Sequence, residues 1–246
     1  MTLPLVMYGS YTCEDTAFVR DRLHKLRVHF KQAMKEDDER VGAVLKKYNS
    51  GLMQTPTLVF GNEQIVITEP TIEELEDALT KAGYSIKPPS ADVLRLHSYA
   101  PDMTKLPAHR YDVLARHPLE HPTKYIVFFA HSEGCRVCQG YAKQLSLRAR
   151  DFRKLGTHLR MVLHTDIKST EDWARDYVPG VEVRADEDGS VKREFANFLP
   201  DDLGARPGGT WLLILDRNEV PRIGIYGGDA GSLVSATEII AQLKTF

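Results

Sequence analysis

The stretch "YIVFFAHSEGCRVCQGYAKQL", Tyr125 to Leu145, runs an apolar segment into a C-R-V-C step and then into a helical pattern. Six consecutive apolar or aromatic residues suit a buried strand. Cys135 and Cys138 sit three positions apart, about one turn of a helix. A strand that feeds a helix through a dithiol turn makes an α/β fold the expectation. The pair leaves three chemistries open: a redox dithiol, a peroxide-reducing thiol with a neighbour, or half of a metal site.

Working outward toward the C-terminus, the helix predicted after the turn runs to about Leu155. "HLRMVLHT" is the next strand, and "STEDWARDYV" is a helix with Ser169 as its cap and Asp172 three residues on. "VEVRADEDGSVKREF" reads as a strand, an Asp-Gly turn and a short element. "GTWLLILDRNEVPRIGIYG" is a hairpin turning at Arg217–Asn218, and "AGSLVSATEIIAQLKTF" closes the chain as a helix.

The N-terminal part alternates in the same way. "LPLVMYG" is a strand ending at Gly9, followed by a helix from about Glu14 to Leu26. "VHFKQAM" alternates as a half-buried strand, and "DDERVGAVLKKYN" is a helix with acids in its first turn. "TPTLVFG" and "EQIVIT" pair across Gly61–Asn62. "TIEELEDALTKAGY" carries Thr71 and Glu74 in capping-box register and ends at Gly83. The order βαβαββα is that of the thioredoxin fold. The fold class expected is α/β, with two tandem thioredoxin-fold domains, each a mixed sheet flanked by helices. The domains expected are 1–85, a Pro-rich connector or lead-in at 86–119, and 120–246. Residues 86–124 hold six prolines and four histidines but also a large apolar load, which favours a structured lead-in over a solvated linker.

With 246 residues, two domains are the ordinary expectation. Thirty-two Lys and Arg against 34 Asp and Glu give a net charge of -2, which offers no electrostatic pull toward nucleic acid or an anionic membrane. No apolar run reaches the ~20 residues of a membrane span. "MTLPLVMYGSYTC" lacks a basic leader region, so the expected location is cytoplasmic. Three cysteines are too few for a disulfide framework and suit catalytic or metal-bound thiols in a reducing compartment.

Cys13 is placed at or near a helix N-terminus, where unpaired N–H groups favour a thiolate, while Glu14 and Asp15 oppose one. Thr16 occupies the position where a dithiol would keep its second cysteine, so Cys13 would act alone and form mixed disulfides. In "QTPTLVF", a proline directly before a strand is expected in the cis form, presenting Thr55 to an extended thiol substrate. "YGSYTCEDTAFVRDRL", "QTPTLVF" and "TEPTIEEL" resemble a single-cysteine glutaredoxin, particularly the mycoredoxin-like branch. The resemblance implies Cys13 as nucleophile and Tyr11, Thr55 and Pro56 as the substrate-positioning surface. It also implies a low-molecular-weight thiol or protein mixed disulfide as substrate. The Gly-Gly-Asp-type turn of glutathione users is replaced by "ITEPTIEE".

"VEVRADEDGSVKREFA" and "GTWLLILDRNEVPRIGIYGG" are similar to the later half of peroxiredoxins of the alkyl hydroperoxide reductase/thiol-specific antioxidant type. That resemblance puts the attacking thiol at Cys138, sets Cys135 where the family keeps a threonine, and puts His131 at the family's proline. Cys135 would resolve the oxidised Cys138, with Arg136 and Arg206 as candidate thiolate- and substrate-binding cations. The implied function is a thiol–disulfide oxidoreductase, in one version a thiol-dependent peroxidase whose Cys135–Cys138 disulfide is re-reduced by Cys13. No cofactor is expected to stay bound. The reductant would be a small thiol or a protein dithiol, with peroxide or disulfide substrates and a thioredoxin-like redox protein as a candidate partner. The alternatives are a disulfide reductase without peroxide chemistry, and a metal-binding or thiol-sensing protein using His131, Cys135, Cys138 and His164.

Overall fold

The computed structural model describes residues 2–87, 92–95, 108–110, 122–196, 210–218, 220–227 and 233–245. The chain divides into two compact units, Met1–Pro89 and Ser90–Phe246. Each holds a mixed sheet flanked by helices, the expected fold class.

In the first unit the order is β1 (Leu5–Gly9), α1 (Glu14–Lys25), β2 (Lys31–Met34), α2 (Arg40–Tyr48), β3 (Thr57–Phe60), β4 (Ile65–Thr68) and α3 (Ile72–Lys81). The sheet runs β2-β1-β3-β4, with β1 and β2 parallel and the other pairs antiparallel. β2 begins three residues later than "VHFKQAM" suggests, because Arg27 at φ 54° turns the chain out of α1 and the following residues make that exit. Phe18 and Leu23 of α1 and Leu75 and Leu79 of α3 are buried, as a helical stripe facing a sheet requires. Arg22, only 1% exposed, crosses from α1 to Glu76 of α3 at 2.5 Å and joins the two helices.

Thr71 and Glu74 form the full capping box at the start of α3. Thr71→Ala is expected to cost about 1 kcal/mol, read as a lower urea midpoint of the first unit with an unchanged slope.

The second unit contains β5 (Asp92–Arg95), β6 (Ala108–Arg110), β7 (Lys124–Phe129), α4 (Arg136–Leu147), α5 (Ala149–Lys154), β8 (Thr157–Leu163) and α6 (Ile167–Tyr177). It continues with β9 (Glu182–Ala185), α7 (Ser190–Ala196), β10 (Thr210–Asp216), β11 (Pro221–Gly227) and α8 (Ala236–Lys244). The strand order is β5-β11-β10-β7-β8-β9-β6. β7, β8 and β9 are parallel, and the remaining neighbours are antiparallel. Ile126, Val127, Phe128 and Phe129 are all fully buried, so β7 is covered on both faces, a buried strand as its apolar run predicts.

Three details depart from the sequence reading. The single helix expected to reach Leu155 breaks at Arg148 into α4 and α5. The cap of α6 is Asp166, which accepts the N–H of Ser169, rather than Ser169 itself. Asp166 wins because its carboxylate also accepts the Ser169 hydroxyl at 2.8 Å, so Ser169 becomes the donor to the cap. Finally, the stretch read as a connector or structured lead-in adds two strands that the sequence reading did not name, β5 and β6, which close opposite ends of the second sheet.

Beneath β8 and β9 lies a charged cluster. Glu182 accepts from His158 Nε2 at 2.6 Å, Arg160 Nε at 3.1 Å and Arg184 Nε at 2.6 Å, and Arg160 lies 4.9 Å from the Tyr125 ring centre. Glu182, Arg160 and Arg184 are all buried.

Candidate active site

Two thiol sites emerge, one at the end of β1 and one at the end of β7. All three cysteines are thiols, and none is in a disulfide.

In the first unit Cys13 is the N-cap of α1. Its Sγ accepts the Thr16 N–H at 3.4 Å and donates to the Thr55 carbonyl at 3.1 Å. The Thr55–Pro56 peptide is cis, as the motif predicts. The side chain that a dithiol site would replace, Thr16, instead packs on the backbone of Gly9 and accepts the Ser10 N–H through its hydroxyl. A methyl group on Gly9 would come within 2.6 Å of Thr16 Cγ2, so this strand end needs a glycine.

The rim of the Cys13 site is acidic. Glu36 accepts the Ser10 hydroxyl at 2.5 Å and the Tyr11 N–H at 3.2 Å. Burial works to raise its pKa, but these hydrogen bonds outweigh it and hold the carboxyl below its usual value. Tyr11 stands exposed beside the cysteine, and its hydroxyl donates to Asp37 at 2.7 Å. That bond raises the phenol's pKa and keeps it protonated. Leu52 and Met53, just ahead of Gln54–Pro56, are also exposed. Neither was singled out from the sequence, where "SGLMQTP" reads only as a loop.

The second site is built by the loop 131–135. The Ala130 N–H donates to Val162 across to β8, and Gln139 Nε2 donates to the Glu133 carbonyl at 2.7 Å. The Thr165 hydroxyl holds the Glu133 carboxylate. These anchors fix Cys135 as the N-cap of α4, with its sulfur accepting the Cys138 N–H at 3.3 Å. Cys135 is half-buried, whereas Cys138, at the third helical position, is 0% exposed. Cys138 thus lies inside the first turn of α4 and is not its first residue. Arg136 is, and it is exposed.

The two sulfurs differ in electrostatics as well. The Cys138 thiol has its pKa pushed far up, first by its hydrogen bond with Cys135, then by burial and by the charge of a Cys135 thiolate. The His131 backbone and the Thr210 hydroxyl pull the other way. Each sulfur thus has a backbone donor, the Cys138 N–H for Cys135 and the His131 backbone for Cys138, and the difference between them is burial.

The four residues proposed as a metal alternative do not converge. His131 and His164 are both exposed while Cys138 is sealed, and the His164 ring packs against the backbone of Gly189. Among the described residues no group of three or more His, Cys, Asp or Glu side chains could hold a metal ion. Arg206 lies outside the described residues.

Two side chains near Cys138 escaped the sequence reading. Lys192 of α7 is half-buried, with Nζ 5.5 Å from the centre of the Trp211 ring, and its charge and that of Cys138 act on one another. Asp186 is 1% exposed and accepts the backbone N–H groups of Val191 and Lys192 at 3.2 and 2.8 Å. Both sit in "ADEDGSVKREF", where the only local signal was an Asp-Gly turn. Among the described residues no helix is long and apolar enough to cross a membrane.

Residues 99–219 match the AhpC/TSA family. No curated protein matches the chain. Among solved structures it is similar to Xanthomonas campestris peroxiredoxin Q, at 14% identity and a TM-score of 0.41, over 50% of this chain and 79% of that one. It is similar to Enterococcus faecalis AhpC at 17% identity and a TM-score of 0.42, over 50% and 74%. A mutant of peroxiredoxin 6 from Arenicola marina gives 14% identity and a TM-score of 0.46, over 61% and 72%. The matched residues lie within the second unit, the one that carries Cys135 and Cys138.

Proposed function

We propose that the chain is a thiol–disulfide oxidoreductase in which Cys135 attacks, Cys138 resolves, and Cys13 re-reduces the resulting disulfide. The AhpC/TSA match supports a thiol-dependent peroxidase or thiol oxidoreductase. The observation that carries the finer reading is the contrast between the two sulfurs. Cys135 is half-buried and reachable, while Cys138 is sealed with its thiol held protonated. This reverses the order that the peroxiredoxin resemblance implied, since the sulfur aligned with the family's attacking thiol is the one solvent cannot reach.

In the first step the Cys135 thiolate attacks a sulfur of the substrate disulfide, and one substrate thiolate leaves. Cys138 then attacks the Cys135 sulfur, forming Cys135–Cys138 and releasing the second thiol. With a peroxide, the first step instead gives a sulfenic acid on Cys135, and resolution releases water. Arg136, exposed at the first helical position, is the cation a substrate meets beside Cys135. Two sulfurs a turn apart suit a two-electron disulfide exchange, and a disulfide substrate is the favoured one.

In the first unit, Cys13 would open that disulfide, with Tyr11 and the Thr55–Pro56 turn as the surface that receives the partner strand; its place at the N-cap of α1 beside the cis Thr55–Pro56 peptide supports this reading. A small thiol or a protein dithiol would then regenerate Cys13. Carrying both sites on one chain raises the concentration of each seen by the other.

The relay is tested with Cys13→Ser under steady-state turnover of a small disulfide, with a monothiol as reductant. Turnover is expected to fall about tenfold or more, while single-turnover reaction of the reduced Cys135–Cys138 pair is unchanged. Equal steady-state turnover in the variant would show that the two sites work independently.

A further inference from the structure

Resolution demands a thiolate from Cys138, yet that sulfur is fully buried and shares a hydrogen bond with Cys135. Cys135 is by then a neutral mixed disulfide, so burial is what still opposes an anion on Cys138, and something must make that anion tolerable. The side chains that converge on this point come from elements distant in sequence. Thr210 begins β10, and its buried hydroxyl has no conventional hydrogen-bond partner among the described residues, leaving the Cys138 sulfur as the group it acts on. Trp211, next along β10, pairs with Phe129 at the end of β7, the strand that leads into the cysteine loop. The Lys192 ammonium stands 5.5 Å from the centre of the Trp211 ring, so a cation is held over the same strand end. Asp186 fixes the first turn of α7 through the backbone N–H groups of Val191 and Lys192, which sets where Lys192 emerges.

We propose that Lys192 is the positioning charge for the resolving step, the counter-ion that lets buried Cys138 ionise and attack Cys135. The inference rests on the assignment of Cys135 as attacking and Cys138 as resolving thiol. In the balanced step, Cys138 loses its proton and its thiolate displaces the substrate sulfur from Cys135. The Cys135–Cys138 bond forms as the Cys135–substrate bond breaks. The departing thiolate picks up the proton, or leaves it to buffer when its conjugate thiol is a strong acid. The dithiol is oxidised by two electrons, and the substrate disulfide is reduced by two.

The titratable groups that act on Lys192 are Cys138 from α4 and Asp186 from the turn after β9, while β10 offers the Trp211 ring. Burial lowers the pKa of Lys192 and the two anionic partners raise it, with a net lowering.

The test uses the full chain in a Cys13→Ser background and the aromatic disulfide 5,5′-dithiobis(2-nitrobenzoic acid). Release of the first thiolate reads attack by Cys135, and release of the second reads resolution by Cys138. Both phases are followed by stopped-flow absorbance from pH 5 to 10. In Lys192→Met, and in Lys192→Gln as a polar second variant, the second phase is expected to slow about tenfold at pH 7. Its midpoint should move upward by about one pH unit, the shift that a tenfold change in ionisation brings. The first phase should keep its rate. Lys192→Arg retains the charge and should keep the wild-type midpoint. An unmoved midpoint in both Met and Gln variants overturns the inference, and so does an Arg variant that shifts as far as Met. A Cys13→Ser chain with Lys192 intact that releases only one thiolate overturns the dithiol reading itself, a result distinct from either.

Discussion

In the Cys135→Ser protein, reduction of a small disulfide is expected to fall by about three orders of magnitude or more, the scale of losing a nucleophile. Cys138→Ser should instead keep the first chemical step and stop after it, leaving a stable mixed disulfide on Cys135. The asymmetry follows from access and charge. Cys135 presents its sulfur at the N-cap of α4 with the Cys138 N–H pointing at it, and a cap position is where backbone donors best support an anion. Cys138 lies wholly beneath the surface. With both variants made in a Cys13→Ser background, intact-mass measurement after one equivalent of disulfide distinguishes the two orders. An adduct trapped in Cys135→Ser, with none in Cys138→Ser, would restore Cys138 as the attacking thiol.

The second large effect is expected in stability. Burial alone would raise the pKa of Glu182, but its bond to His158 and the charges of Arg160 and Arg184 bring it down to about 2, from an ordinary 4.5. A carboxyl whose folded pKa is depressed contributes stability that is complete above its unfolded value. That stability is lost as pH falls through 4.5 toward 2. The contribution at neutral pH is roughly 3 kcal/mol, from about 1.4 kcal/mol per unit of pKa. Glu182→Gln removes the carboxylate and leaves two guanidinium groups buried with less compensation, which costs about 3–5 kcal/mol. Both tryptophans, Trp173 and Trp211, belong to the second unit, so their fluorescence during urea unfolding reports on it selectively. The wild type should lose stability between pH 5 and 3, and the variant should be weaker at pH 7 with a flatter acid limb. Identical midpoints at pH 7 would mean that the cluster is energetically idle.

The alternation of strands and helices was legible in both units because buried strands and one-sided helices leave strong periodic marks, as "YIVFFA" and the Thr71–Glu74 box show. What stayed hidden was of three kinds. β5 and β6 are short edge strands in a Pro-rich stretch, and an edge strand answers to its neighbour's unpaired backbone rather than to its own side-chain rhythm. Which of two cysteines caps a helix is a backbone matter that C-x-x-C spacing does not encode, and the family pattern pointed to the other one. Lys192 acts on Cys138 through its charge from another helix, so no local motif could connect them.

The placement of β5 and β6 bears on how the second unit can be inherited or moved. Strands from the stretch ahead of β7 pair with β11 on one side and β9 on the other, so that stretch supplies both selvedges of the seven-stranded sheet. A module cut at Lys124 would keep every cysteine of the dithiol site and its whole interior, yet would present two raw strand edges to any neighbour. Such edges recruit other chains. The portable unit is therefore longer than the chemistry needs, and recombination that joined it to a new partner would have had to carry the proline-rich lead with it.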